Sequence, residues 1–198
     1  MKHALLAALL LVPLVPQPLQ AADAPPTKRN VVFLLADDLR PDCLGMFGHP
    51  VVKTPNLDKL LANGFAFRNA YVLGSSMTAV CMPSRTMIQT GQSYLRKNPT
   101  ATPTLAQTIK AAGYVSIRSG KFHANPNDLD QDFDQHMDGG EDAASNADNI
   151  IAFIKEHAGQ KPLFLYFAPN EPHNPHHATD EFYQMGTSKN GVFSRFQG

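Results

Sequence analysis

From residue 30 onward, short unbroken apolar runs alternate with helical stretches, and this alternation predicts an α/β fold with a largely parallel sheet flanked by helices. Residues 30–36 read NVVFLLA, the near-continuous run expected of a strand buried on both faces. Thr54-Pro55-Asn56-Leu57-Asp58-Lys59-Leu60-Leu61 reads as a capped helix, with Thr54 as cap, Pro55 in the first turn and Gly64 as the stop. Phe65 to Leu73 is a second strand candidate. Cys81 opens a helix that runs through Thr86-Met87-Ile88-Gln89 to Gly91, and Pro83 suits its first turn. The Thr-Pro grammar returns at Thr102-Pro103, ahead of a helix through Leu105, Ile109 and Ala112 with Gly113 as terminator. Tyr114 to Arg118 predicts a strand. Ala124 to Gly140 holds five aspartates and two glycines and reads as a long surface loop. Ala143 to His157 is amphipathic, with Ala147, Ile150, Ile151 and Ile154 on one face. Residues 162–168, PLFLYFA, predict another buried strand.

Polar residues of chemical interest follow three of these strands. Asp37-Asp38 follows the first, Gly120-Lys121-Phe122-His123 follows the Tyr114 strand, and Asn170 to His177 follows the last. Open α/β sheets bind ligands at the carboxyl ends of their strands. Three segments distant in sequence are therefore expected on one edge, where the Cys81 helix can join them. That helix places Cys81 among unpaired backbone N–H groups at the positive end of the dipole, which suits a nucleophile that must meet an anion.

Composition adds limits rather than direction. With 198 residues and 43% hydrophobic residues the chain can bury a core. Lys+Arg and Asp+Glu both count 17, so no global charge invites nucleic acid or an anionic membrane, and an anionic substrate has to be held locally. Lys2 and His3 precede the apolar run Ala4 to Val12, and Leu19-Gln20-Ala21-Ala22-Asp23 offers small residues for cleavage. Residues 1–22 thus read as a secretory signal peptide and 23–29 as a loose leader, so the expected location is periplasmic or extracellular. The run is short for a membrane span and is interrupted by Pro13 and Pro16. In an exported protein the two cysteines, Cys43 and Cys81, would ordinarily suggest a disulfide. The specific surroundings of Cys81 favour two independent cysteines, with Cys43 a small buried residue.

Those surroundings are the chain's most specific feature. Cys81-Met82-Pro83-Ser84-Arg85, closed by Thr90-Gly91, has the spacing C-x-P-S-R-x4-T-G and resembles the sulfatase signature. Gly113-Tyr114-Val115-Ser116-Ile117-Arg118-Ser119-Gly120-Lys121-Phe122-His123 resembles the family's second signature. Ala36-Asp37-Asp38-Leu39-Arg40-Pro41 is similar to its N-terminal metal motif, shared with the wider alkaline-phosphatase-like superfamily, and Pro172-His173-Asn174-Pro175 is similar to its P-H-x-P element. Each has a plainer reading: an acidic turn, a surface Gly-Lys loop, a His-rich loop. Their occurrence in the family's order from Asn30 to about Ala178 outweighs those readings. The Asp-Asp-Leu-Arg-Pro form resembles the iduronate- and choline-sulfatase side of the family.

The resemblance implies an alkaline-phosphatase-like fold and hydrolysis of a sulfate monoester, with a sulfated carbohydrate or small molecule as substrate. It implies that a maturation enzyme, reading Cys81, Pro83, Ser84 and Arg85 in the unfolded segment, oxidises Cys81 to formylglycine. It further implies a divalent cation, Ca²⁺ with Mg²⁺ as alternative, on Asp37, Asp38 and residue 81. The catalytic set it implies is Cys81, Arg85, Lys121, His123 and His173. Arg85 lies one helical turn from Cys81. Lys121 is a compact cation for a sulfate oxygen, and His123 and His173 can move protons near neutral pH. His176 and His177 are bystanders or rim residues, and His49, His136 and His157 read as solvated surface. Family members are longer, so residues 30–198 read as the N-terminal part of a catalytic domain, with a half-built sheet that leaves an apolar edge exposed. Two other expectations follow: an inactive remnant or binding module, and a phosphoester or phosphonate hydrolase using the same nucleophile.

Overall fold

The computed structural model describes residues 28–73, 76, 80–93, 102–125, 127–140 and 142–173. The expected signal peptide, most of the leader, and His176 and His177 lie outside the described residues. The elements, in chain order, are β1 (Val31–Leu34), α1 (Pro55–Ala62), α2 (Cys81–Thr90), α3 (Leu105–Ala111), β2 (Val115–Gly120), β3 (Gln135–Met137), α4 (Ala143–His157) and β4 (Leu163–Ala168), with short 3-10 helices at Pro41–Cys43, Gly45–Phe47 and Asn127–Asp132. The four strands form one sheet in the order β1-β4-β2-β3, and every pairing is parallel. The α/β reading with a parallel sheet therefore holds.

Alternation along β4 builds the two faces. Phe164, Tyr166 and Ala168 point to a layer containing Ala106, Phe122, Ala124, Leu129 and Phe133. Leu163 and Leu165 point the other way, onto Ile117, Ile150 and Phe153. Aromatic rings tie the first layer together: Phe133 contacts Phe122, Phe164 and Tyr166 at centroid distances of 6.4, 6.2 and 5.7 Å.

Several local expectations are corrected. β1 is the sheet's edge, with Val32 55% exposed, because β4 flanks it on one side only among the described residues. Phe65 to Leu73 forms no strand; Phe67 is 76% and Tyr71 91% exposed, and no described strand pairs with this segment. An apolar segment becomes a strand only where a neighbour offers hydrogen bonds. The Ala124–Gly140 stretch is not a plain surface loop: it holds a 3-10 helix, strand β3, and the buried Leu129 and Phe133. Two of its aspartates are spent on fixed bonds, Asp130 pairing with Arg118 and Asp134 with Lys110 at 2.7 Å.

Helix α3 starts two residues later than the Thr102-Pro103 pair suggests. Thr104 caps it, accepting from the Gln107 N–H at 3.1 Å while Gln107 Oε1 accepts from the Thr104 N–H, a complete capping box. The buried face of α4 is Asn146, Ile150 and Phe153, with Ile154 half-buried and Ile151 outside. Asn146 turns inward because its side chain bonds Gly139 N–H, Gly140 O and Ser119 Oγ. Both cysteines are free, and Cys43 is half-buried rather than enclosed. His157 is half-buried against the Phe153 ring at 4.3 Å, not simply solvated. No described helix is long and apolar enough to cross a membrane.

Candidate active site

The carboxyl ends of β1, β2 and β4 lie side by side, and each releases a polar segment there. β1 leads into Asp37 and Asp38. The Asp37 N–H donates to the Glu171 carbonyl at 3.3 Å, which ties this turn to the end of β4. Asp38 has a left-handed backbone, φ 58, a conformation that Asp tolerates better than most residues. β2 ends at Gly120, with φ +95 and the position of a Cβ only 2.2 Å from the Ala168 carbonyl oxygen. Only glycine fits this approach. It brings the Lys121 N–H to Ala168 O at 2.7 Å and aims Lys121 at the β1 turn. β4 continues to Glu171, Pro172 and His173, where the His173 N–H donates to Asn170 O at 3.0 Å.

Helix α2 completes the corner. It begins at Cys81 as the spacing predicts, with its first ladder bond from Ser84 N–H to Val80 O, and it closes on Gly91 in the left-handed region. Arg85 lies one turn along, 2% exposed, and its Nη1 donates to the Lys121 carbonyl. Its Nη2 has no hydrogen-bond partner among the described residues and faces Asp37 Oδ1 at 3.7 Å. The Lys121 ammonium donates to Asp37 Oδ2. Cys81 Sγ lies 3.9 Å from Asp38 Oδ1, and His173 Nε2 lies 3.7 Å from Asp38 Oδ2.

Charge and burial set the protonation states. Burial works against the Asp37 carboxylate, but the Lys121 hydrogen bond and the Arg85 charge outweigh it and hold its pKa below the ordinary carboxylate value. Burial pushes the Cys81 thiol up, and the Asp37 hydrogen bond and charge push it further, against the pull of Lys121. This outweighs the lowering expected at a helix N-terminus, so the unmodified side chain is a protonated, weak nucleophile at neutral pH. His123, also with positive φ at 44, is lowered by desolvation and by the charges of Lys121 and Arg85.

All seven residues that the sequence points to thus meet here: Asp37, Asp38, Cys81, Arg85, Lys121, His123 and His173. His173, expected in the catalytic set but not among the metal-holding residues, also stands with the carboxylates and the thiol: ligand atoms of Asp37, Cys81 and His173 lie within 4.8 Å of one another. Sequence reading passes over Glu171, whose carboxylate also accepts from the Ala143 N–H at 2.7 Å and so anchors α4 to the same corner. It also passes over Gln89, on the buried face of α2, and Tyr166, on β4 beneath it, both near Arg85. No motif marks Glu171. Gln89 was legible only as a polar residue on a face that packs inward.

A motif set in this order, on this sheet edge, is matched by the sulfatase family model over residues 29–192. The chain belongs to the sulfatase family. Among curated relatives, human N-acetylgalactosamine-6-sulfatase is 27% identical over 87% of this chain and 44% of its own length. Human iduronate 2-sulfatase is 37% identical over 48% of this chain and 18% of its own. A crystal structure of an alkaline phosphatase superfamily protein from Vibrio parahaemolyticus has a TM-score of 0.55 at 24% identity, covering 78% of this chain and 43% of that one. The chain therefore shares the fold of that protein over the part it covers. This sulfatase chain spans less than half the length of the curated relatives it matches.

Proposed function

We propose that the chain is part of an exported sulfuric ester hydrolase whose residue 81 is matured from cysteine to formylglycine and whose substrate is a sulfated carbohydrate. The observation that carries this is the meeting of Cys81, at the first turn of α2, with Asp37, Arg85 and Lys121. Family membership supports sulfate ester hydrolysis in general, and two relatives are named for sulfated sugars. The protonated thiol at residue 81 fits a side chain that is made reactive by modification rather than by its surroundings.

The donor chemistry also fits a divalent cation. Asp37 and Asp38 are adjacent carboxylates in one turn, next to residue 81, and would hold it; hard oxygen donors suit Ca²⁺, with Mg²⁺ as the alternative. When present, the aldehyde hydrate supplies the attacking oxygen and the cation supplies Lewis-acid polarisation of the sulfate.

The chain's own residues bind, orient and move protons. Arg85 is held by the Lys121 carbonyl and turns its Nη2, which has no hydrogen-bond partner among the described residues, toward Asp37. Lys121 places a positive charge where sulfate oxygens gather charge in the transition state. Its bond to Asp37 keeps that ammonium on the reacting side of the sheet edge. His123 is biased to its neutral form near pH 7, so it can accept the proton from residue 81. His173, which follows the carboxyl end of β4, gives a proton to the leaving alcohol oxygen.

The test is co-expression with a formylglycine-generating maturation enzyme, then mass spectrometry of the peptide holding residue 81 and an aryl sulfate assay with Ca²⁺. The expected result is the aldehyde form and sulfate release, both lost in Cys81→Ala. A thiol that stays unmodified defeats the formylglycine reading. Aldehyde without turnover supports a second reading, a non-catalytic remnant or binding module. N-terminal sequencing of exported protein, with residue 23 as the expected start, checks the signal peptide.

A further inference from the structure

We propose that while residue 81 is still a cysteine, this corner is a binding site for a thiophilic divalent cation of the zinc class, with Cys81 Sγ, His173 Nε2, Asp38 and Asp37 as donors. The hard-cation arrangement of a matured enzyme uses oxygen donors alone. The unmatured chain offers a thiol and an imidazole beside two carboxylates, and that is a different chemistry at the same place.

The distances support it. In a tetrahedral zinc site, metal–donor bonds of about 2.0–2.3 Å put neighbouring donors roughly 3.3–3.8 Å apart. Asp38 already stands 3.9 Å from Cys81 Sγ and 3.7 Å from His173 Nε2, one oxygen to each. The Asp37, Cys81 and His173 donors lie within 4.8 Å of one another, so closing that triangle takes a movement of about 1 Å. Asp38 and His173 are on short turns after strand ends, and the Asp38 side chain is 54% exposed, so the movement is available.

Donor type decides the metal. Thiolate and imidazole select zinc and its neighbours, whereas Ca²⁺ and Mg²⁺ take oxygen. Binding replaces the thiol proton: Zn²⁺ and the thiol give a zinc–thiolate bond and one released proton, with no change of oxidation state. The competitor is internal. Asp37, Cys81 and His173 form the primary trio, and Asp38, which faces Cys81 and His173 with different oxygens, joins last; Lys121 donates to one Asp37 oxygen and Arg85 faces the other, so the cation must displace one of them. Oxidation of Cys81 to an aldehyde removes the thiolate and with it the preference for zinc.

Cobalt is the probe, because thiolate ligation gives it a charge-transfer band in the near ultraviolet. The full chain, expressed without a maturation enzyme, is titrated with Co²⁺. A band is expected that Zn²⁺ abolishes at equimolar concentration and that Ca²⁺ leaves intact at large excess. Cys81→Ser removes it, Cys43→Ser leaves it, and His173→Ala weakens cobalt binding by about tenfold or more. Lys121→Met, which frees an Asp37 oxygen, tightens binding several-fold. Circular dichroism of each variant establishes that it is folded, and Asp38→Asn serves as a second ligand variant if His173→Ala unfolds. The proposal is overturned by no band in the unmatured chain, by a band that follows Cys43, or by equal competition from Ca²⁺. The readout is the metal itself, so its failure is separate from any failure of the sulfate hydrolysis reading.

Discussion

β1 and β4 are neighbours in one sheet, paired in parallel register from Val31 opposite Phe164 to Leu34 opposite Phe167, yet they meet different surroundings. Both are short apolar runs. β4 lies between β1 and β2, with α4 on one face and the Phe122–Phe133 layer on the other, and five of its six residues are essentially dry. Among the described residues β1 has one neighbour, and three of its four side chains are exposed; Phe33 alone gains cover, stacking on Tyr166 at 5.2 Å. Burial is thus a property of a strand's position rather than of its composition. The site straddles this divide, since Asp37 hangs from the weakly packed strand while Lys121 and His173 hang from the strongly packed ones.

The comparison can be broken most decisively at the α4 layer. Phe153→Ala, in the cluster beneath β4, is expected to cost about 3–5 kcal/mol in urea unfolding. An unchanged midpoint would show that α4 does not support β4. Gly120→Ala forces a Cβ against the Ala168 carbonyl and keeps a positive φ, so a loss of about 3 kcal/mol is expected, with Lys121 displaced from Asp37. Thr104→Ala removes the capping box of α3 and its bond to Asp132, for about 1–2 kcal/mol by thermal melting.

Asp134 sharpens the comparison through pH. Burial raises its pKa, but the Lys110 bond and two Ser116 bonds win and bring it below its reference value of 3.8. A depressed carboxylate contributes stability above its unfolded pKa and loses it as pH falls through the folded value. Melting temperatures of wild type and Asp134→Asn should therefore differ near neutrality and converge below about pH 4, with a difference worth under about 1 kcal/mol. Val32→Thr, on the edge strand, is expected to change stability by no more than about 0.5 kcal/mol while lowering self-association in light scattering. A large loss there would mean that β1 is covered after all.

Much of the site was legible because its residues sit in local contexts with fixed consequences. Cys81 and Arg85 share a helix face by spacing, and Pro83 and Gly91 bound that helix. The rule that ligands gather at strand carboxyl ends placed Asp37, Lys121 and His173 on one edge before any distance was known. What the sequence hid are the parts whose conformation depends on remote partners. Phe65 to Leu73 has strand composition but pairs with no strand among the described residues. The aspartates of 124–140 suggested solvent, while Leu129 and Phe133 among them enter the core. Asn146 reads as a polar interruption of α4 and is in fact its inward anchor.

The sequence by itself determined the family motifs, the α2 helix and the order strand-then-polar-segment, because turn chemistry and i,i+4 spacing act within a few residues. Only the tertiary structure decided that β1 is an edge, that Asp37 is shared between Lys121 and Arg85, and that His173 stands on Asp38 beside the Cys81 thiol. The physical reason is range. Asp37 and Lys121 are 84 residues apart, and what brings them into contact is the order in which the strands hydrogen-bond, a choice made by the whole sheet.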